Sequence, residues 1–304
     1  MNEIKLFRIS GQTAAEISPN PIGLEKSVQN LIEANLEPLL GVTFLRSEFP
    51  TGRNHRGRVD TLGIDENGCP VIIEYKREIN VNVITQGLYY LDWLLDHKAD
   101  FALLAQQVLG ATGAERVDWS APRLICIAPD FTKYDEHAVK QIDRNIDLMR
   151  YRQFGSDLLV LELVYSTSAS SAAPLGDKAL PQGARKAGDK PVSQALIEMD
   201  PPMRELHEAL REYLVNLGDD VQEKQLKLYV AYRRIRNFAC VEVQKSRLLV
   251  HVRLNPDEVQ VEPDFTRDMR TTGHWGTGDL EITIRTVDDL RKAQPLLQRS
   301  YEAA

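Results

Sequence analysis

The sequence predicts a mixed α/β chain: a helix, a three-strand meander, a helix and a strand, joined by a flexible linker to a second small α/β domain. Three observations predict it. Apolar residues recur at the three-and-four spacing of a helix face in two segments, short strand-like runs bounded by turn residues lie between them, and the stretch Ser166–Ser193 holds almost no large apolar residue.

Leu24, Val28, Leu31, Ile32, Leu36 and Leu39 mark the first helix, and Gly41 follows where a helix would stop. Val42 to Phe49, Arg58 to Ile64 and Pro70 to Lys76 then have strand character, separated by Thr-Gly-Arg-Asn and Asp-Glu-Asn-Gly turn signals. Val83, Ile84, Leu88, Leu91, Leu94 and Leu95 restore the helical period, and Leu124 to Ala128 is a short apolar run suited to a buried strand. Leu158 to Tyr165 adds a strand. Beyond the linker, Met203 to Leu217 predicts an amphipathic helix. Strands are expected at Lys227 to Tyr232, Phe238 to Val243, Arg247 to Leu254 and Glu281 to Arg285, with a last helix over Val287 to Tyr301.

A chain of 304 residues favours two domains, here 1–165 and 196–304 with residues 166–195 as linker. The linker is rich in Ser, Ala, Gly, Pro and Lys, a composition that cannot build a core. Hydrophobic content of 43% and charged content of 27% are ordinary for a globular chain. No run approaches the ~18 apolar residues of a membrane span, and the first residues lack signal-peptide order, so the expectation is a cytoplasmic protein without a membrane partner. Cys69, Cys126 and Cys240 are far apart and sit in apolar runs, which predicts buried thiols rather than a disulfide or zinc frame. A net charge of −7 excludes a protein that coats nucleic acid by bulk charge, but not a local basic groove or a cation-assisted site.

The informative segment is Gly57-Arg58-Val59-Asp60, thirteen residues, then Glu74-Tyr75-Lys76. Strand alternation puts Glu74 and Lys76 on one face with Tyr75 opposite. By itself an acid two residues before a lysine is usually a solvated strand face. Here the triplet ends the apolar run Val71-Ile72-Ile73, and an acid from a neighbouring strand can join it. Two carboxylates suit Mg²⁺, which prefers oxygen ligands and keeps several waters; Lys76 could hold water and a phosphate oxygen.

These residues resemble the PD-(D/E)xK nuclease superfamily, in its NucS-like and RecB-like branch (DUF91-like), over roughly Leu24 to Leu95. The matching elements are Leu24-Glu25 in the first helix, Arg58-Val59-Asp60, Glu74-Tyr75-Lys76, and Gln86 with Tyr90, in order. The resemblance implies a restriction-endonuclease-like core and a Mg²⁺-dependent DNA endonuclease in which Mn²⁺ can substitute. It implies that Asp60 and Glu74 bind metal, Lys76 assists the water, Gln86 supports the site and Glu25 is the helix acid. Glu33, on the same helix, competes with Glu25 for that role. The family's usual Glu-Leu-Lys is Glu-Tyr-Lys here. The resemblance also allows a homodimer, although no dimer stripe stands out.

Arg53, His55, Arg56 and Arg58 cluster ahead of Asp60; Arg58 and Arg56 are candidate phosphate contacts, with a solvated turn as the alternative. Tyr90 is a candidate substrate contact or a core aromatic. In the C-terminal part, Tyr229, Tyr232, Arg233, Arg234, Arg236 and Phe238 interleave aromatic and basic residues. Arg233 and Arg234 are therefore candidates for nucleic-acid contact, against the alternative of an ordinary half-buried strand. The Gly273–Gly278 loop predicts a tight turn. Residues 202–301 resemble the domain of unknown function DUF5655, which implies little mechanism. Two other readings remain open from sequence: a catalytically silent nucleic-acid or protein binding module, and a peripheral transport-related protein.

Overall fold

A computed structural model describes residues 4–20, 25–77, 83–115, 117–169, 191–274 and 276–304. Leu24, most of the expected linker (170–190) and Trp275 lie outside them. The described elements are β1 (Leu6–Ser10), β2 (Thr13–Ile17), α1 (Glu25–Glu33), α2 (Leu36–Leu40), β3 (Val42–Pro50), α3 (Gly52–His55), β4 (Arg58–Asp65), β5 (Pro70–Tyr75), α4 (Val83–Asp96) and α5 (Lys98–Ala114). They continue with β6 (Arg123–Ala128), α6 (Lys133–Lys140), β7 (Asn145–Phe154), β8 (Leu158–Thr167), α7 (Val192–Glu198) and α8 (Pro201–Val215). The chain ends with β9 (Gln222–Gln225), β10 (Val230–Arg233), β11 (Asn237–Gln244), β12 (Arg247–Val252), β13 (Thr266–Asp268), β14 (Leu280–Ile284) and α9 (Val287–Glu302). The fold is mixed α/β with several sheets.

The first large sheet has the order β3-β4-β5-β6-β7-β8. Strands β3, β4 and β5 form the expected antiparallel meander, β5-β6-β7 run parallel, and β8 returns antiparallel. Side chains alternate across this sheet, and each face is covered. Val71, Ile73, Tyr75, Ile125 and Ile127 pack with Val28, Ile32, Leu36 and Leu40 of α1 and α2. Leu62, Ile72, Leu124 and Cys126 pack with Leu91, Leu94, Phe101 and Val139 from α4, α5 and α6. Burial on both faces explains why β5 and β6 read as continuous apolar runs.

The single helix expected from Leu24 to Leu39 is two short ones. Asn35 leaves the helical region at φ −135°, and Pro38 sits in the first turn of α2, where its missing N–H costs nothing. Gly41 then caps α2 at φ 64°, its N–H returning to the Glu37 carbonyl.

The second sheet has the order β13-β14-β12-β11-β10-β9. One face buries Val230, Tyr232, Val241, Val250 and Ile282 against Leu206, Leu210, Leu290 and Leu297 of α8 and α9. The other face meets the turn between β4 and β5: Cys69 and Ala121 pack with Tyr229, Ala231 and Cys240. Asn237 receives Glu66 at its backbone N–H (2.8 Å), its side chain and the Tyr229 hydroxyl both donate to Asn67, and Arg253 pairs with Glu66.

Of the expected linker, Ser166 and Thr167 complete β8, and Val192–Ala195 belong to α7. The three cysteines are free and buried. No helix among the described residues is long and apolar enough to cross a membrane.

Candidate active site at the end of the β4–β5 hairpin

Register decides what meets here. Thr61 lies opposite Ile73, so Asp60 and Glu74 fall one step further along, on the α4 side of the sheet, while Thr61 and Tyr75 face α1. The Asp60 N–H donates to Glu74 Oε1 at 3.1 Å, and the Tyr75 N–H donates to Asp60 Oδ2 at 3.0 Å. From α4, Gln86 donates its amide to Glu74 Oε2 at 3.0 Å. Lys76 follows the strand end, anchored by its N–H to the Ile127 carbonyl, and its side chain is 13% exposed.

Of the two candidate helix acids, Glu25 is the one beside Lys76. Its Oε1 lies 3.8 Å from Lys76 Nζ, and its Oε2 accepts the Arg77 N–H. Glu33 turns elsewhere, accepting from the Thr61 hydroxyl at 2.6 Å and from Gln29 at 2.9 Å on the opposite face.

Glu74 is completely buried. Burial, and then the carboxylate of Asp60 beside it, push its carboxyl up to about 9. Asp60 is also raised, first by burial, with the Tyr75 N–H and Lys76 opposing. Two acids pressed together in a low-dielectric site cannot both ionise cheaply without added positive charge. A divalent cation with oxygen preference would supply it, and a pair of carboxylates plus water is a donor set that Mg²⁺ accepts. Among the described residues no group of three or more His, Cys, Asp or Glu is arranged to hold a metal ion.

Gln29 was not singled out by the sequence reading. It is 3% exposed and donates to the Asp60 carbonyl at 3.0 Å, fixing β4 at the acid. The signal was available: a glutamine next to Val28 on a helix face that is otherwise apolar. Glu48 was also missed. It lies between Lys26, at 2.8 Å, and Arg58, at 3.5 Å.

Several expected substrate contacts are placed otherwise. Arg233 is 5% exposed, donating to both oxygens of Asp147 and to Gln222, so it is not available to a phosphate. Arg234 is committed to Asp220 at 2.7 Å and lies over the Tyr301 ring. Tyr90 is a core aromatic at 7% exposure, its hydroxyl lying where a Cβ on Gly57 would need to be. Arg58 remains largely exposed beside the acids, Arg56 is exposed at the end of α3, and the Arg53 side chain lies outside the described residues.

A Haemophilus influenzae protein described as uncharacterized is 31% identical over 308 residues, spanning 98% of this chain and all of that protein. The chain belongs to the same family as this protein. Residues 194–304 match the domain of unknown function DUF5655. Among solved structures, the EndoMS-dsDNA2 complex is similar at 21% identity over 41% of this chain and 44% of its own, with a TM-score of 0.29. A repair endonuclease from Pyrococcus abyssi is similar at 20% identity over 45% and 49%, with a TM-score of 0.28. Each likeness spans less than half of the neighbour's chain.

Proposed function

We propose that the chain is a Mg²⁺-dependent nuclease of the PD-(D/E)xK type acting on DNA, with its core in residues 1–165 and a separate C-terminal domain in 196–304. The observation that carries the reading is the meeting of Asp60 and Glu74 across β4 and β5, with Lys76 following on the strand and Gln86 bonded to Glu74. A fully buried glutamate beside a second carboxylate is costly, and such perturbed acids cluster at functional sites.

Asp60 and Glu74 would hold the cation, which, when bound, offsets charge on the scissile phosphate. Lys76, with Glu25 beside its ammonium group, would orient a water and donate to a phosphate oxygen. Gln86 keeps Glu74 in one rotamer, and Gln29 does the same for the backbone of Asp60. Arg58 is the nearest exposed arginine that could meet the DNA backbone.

The test is cleavage of labelled single-stranded, duplex, forked and RNA substrates with Mg²⁺ or Mn²⁺. Wild type should cut at least one DNA substrate, and Lys76→Ala and Asp60→Asn should lower the rate by about 10² to 10⁴-fold while staying folded. If folded wild type cuts none of them, the nuclease reading fails for these substrates and the reading as a binding module of the same fold takes its place.

A further inference from the structure

Strand β3 carries a residue whose backbone sets it apart. Glu48 has φ 51°, a left-handed conformation that costs a non-glycine residue about 1 kcal/mol or more and persists where function demands it. Ser47 pairs with Thr61 and Phe49 with Val59, so Glu48 lies across from Asp60. The turn of its backbone brings the carboxylate between two cations from different elements, Lys26 of α1 and Arg58 of β4. Lys26 is anchored a second time, to Gln29 Oε1 at 3.1 Å, and Gln29 is the residue that fixes Asp60.

Both cations stay open to solvent, with side chains 52% and 69% exposed, whereas Glu48 is 35% exposed. An exposed ion pair of this kind is worth about 0.2–1 kcal/mol, so it is cheaply exchanged. A backbone phosphodiester offers the same two cations one anion with two charged oxygens, and a guanidinium meets phosphate bidentately as it does a carboxylate.

We propose that Lys26 and Arg58 form a two-cation seat for a backbone phosphate of the nucleic acid next to the scissile one, and that Glu48 holds this seat in shape until the phosphate displaces it. The seat rests on the nuclease reading of Asp60 and Glu74. Before and after the exchange one anion lies between the two cations; the displaced Glu48 carboxylate, 35% exposed already, turns to solvent.

Binding without catalysis isolates the seat. Anisotropy of labelled single-stranded and duplex DNA, with EDTA present, is measured for wild type, Lys26→Gln, Arg58→Gln, Glu48→Gln and Glu48→Gly across a salt series. Lys26→Gln and Arg58→Gln should weaken binding about fivefold and each lower the salt slope by about 0.7 to 0.9. Both Glu48 variants should bind about two- to fivefold more tightly, the opposite sign, because the competing anion is gone. The glycine variant suits the positive φ and keeps the test valid if the glutamine variant folds poorly. Wild-type binding with unchanged or weaker binding by both folded Glu48 variants overturns the seat and leaves the nuclease reading standing. Absence of wild-type binding to either DNA also overturns the seat, while the nuclease reading stands or falls on the cleavage assay with Mg²⁺ or Mn²⁺.

Discussion

Asp60 and Glu74 are latched reciprocally: the backbone N–H of Asp60 holds the Glu74 carboxylate, and the N–H of Tyr75, next to Glu74, holds the Asp60 carboxylate. Neither acid can swing away without breaking a bond to the other's strand. The pair is therefore preorganised by β4–β5 pairing itself, and the charge problem it creates is built into the sheet.

That problem sets a pH dependence. Glu74 has its carboxyl raised to about 9 in the metal-free protein, against an ordinary value of 4.5. The folded state thus binds one more proton than the unfolded chain between those values, and stability falls as pH rises through that window, by at most about 1.4 kcal/mol per pH unit. Denaturant titrations at pH 5, 7 and 9 with EDTA should show the fall, and Glu74→Gln should flatten it and be the more stable protein at pH 9. Parallel curves for the two proteins would contradict the placement of the charge.

Asp147 is fully buried and joins the two sheets, accepting from Arg123, Arg233 and Ser166. Burial works against its ionisation, and Arg123 and Arg233 outweigh it, holding the carboxyl below its usual range. Asp147→Ala strands two buried guanidinium groups and should cost about 3–5 kcal/mol in chemical denaturation. Arg234→Ala removes only a partly exposed pair with Asp220 and should cost less than about 1 kcal/mol.

Gly57 sits beneath the Tyr90 ring, where an added Cβ would come within 2.5 Å of the hydroxyl and 2.7 Å of the ring edge. Gly57→Ala should destabilise by about 1–3 kcal/mol, the usual cost of overpacking. Because Gly57 precedes Arg58 and Asp60 by one and three residues, the melting loss should be accompanied by lower cleavage. Loss of stability without any change in cleavage would show that the packing of Tyr90 on Gly57 does not position Arg58 and Asp60.

The sequence showed what depends on neighbours in the chain. The periodicity of α4, the apolar runs of β5 and β6 and the Glu74-Tyr75-Lys76 triplet at a strand end were all legible, because each is local. Strand β7 was not: Asp147 and Arg150 stand in its middle, and their partners, the buried Arg123 and Arg233 and the half-buried Glu162, come from other strands. Arg233 misled for the same reason, since its partner lies 86 residues away and nothing near it announces burial. Helix α5 was hidden by Gly110, which leaves the helical region at φ 76° and breaks the period. The β1–β2 hairpin was missed because its strands are mostly exposed and carry no alternating apolar face. Gln29 and Glu48 matter only through the fold that brings α1 and β3 to Asp60.

Whether Asp60 and Glu74 together hold a divalent cation is tested without any substrate by Mn²⁺ binding, measured by calorimetry in buffers of different ionisation heat. Wild type at pH 7.5 should bind one Mn²⁺ with release of close to one proton, that of Glu74, and Asp60→Asn or Glu74→Gln should abolish the binding while the fold persists. Equal Mn²⁺ binding by wild type and both variants, or none by wild type at millimolar metal, would mean that these two acids do not form a cation site.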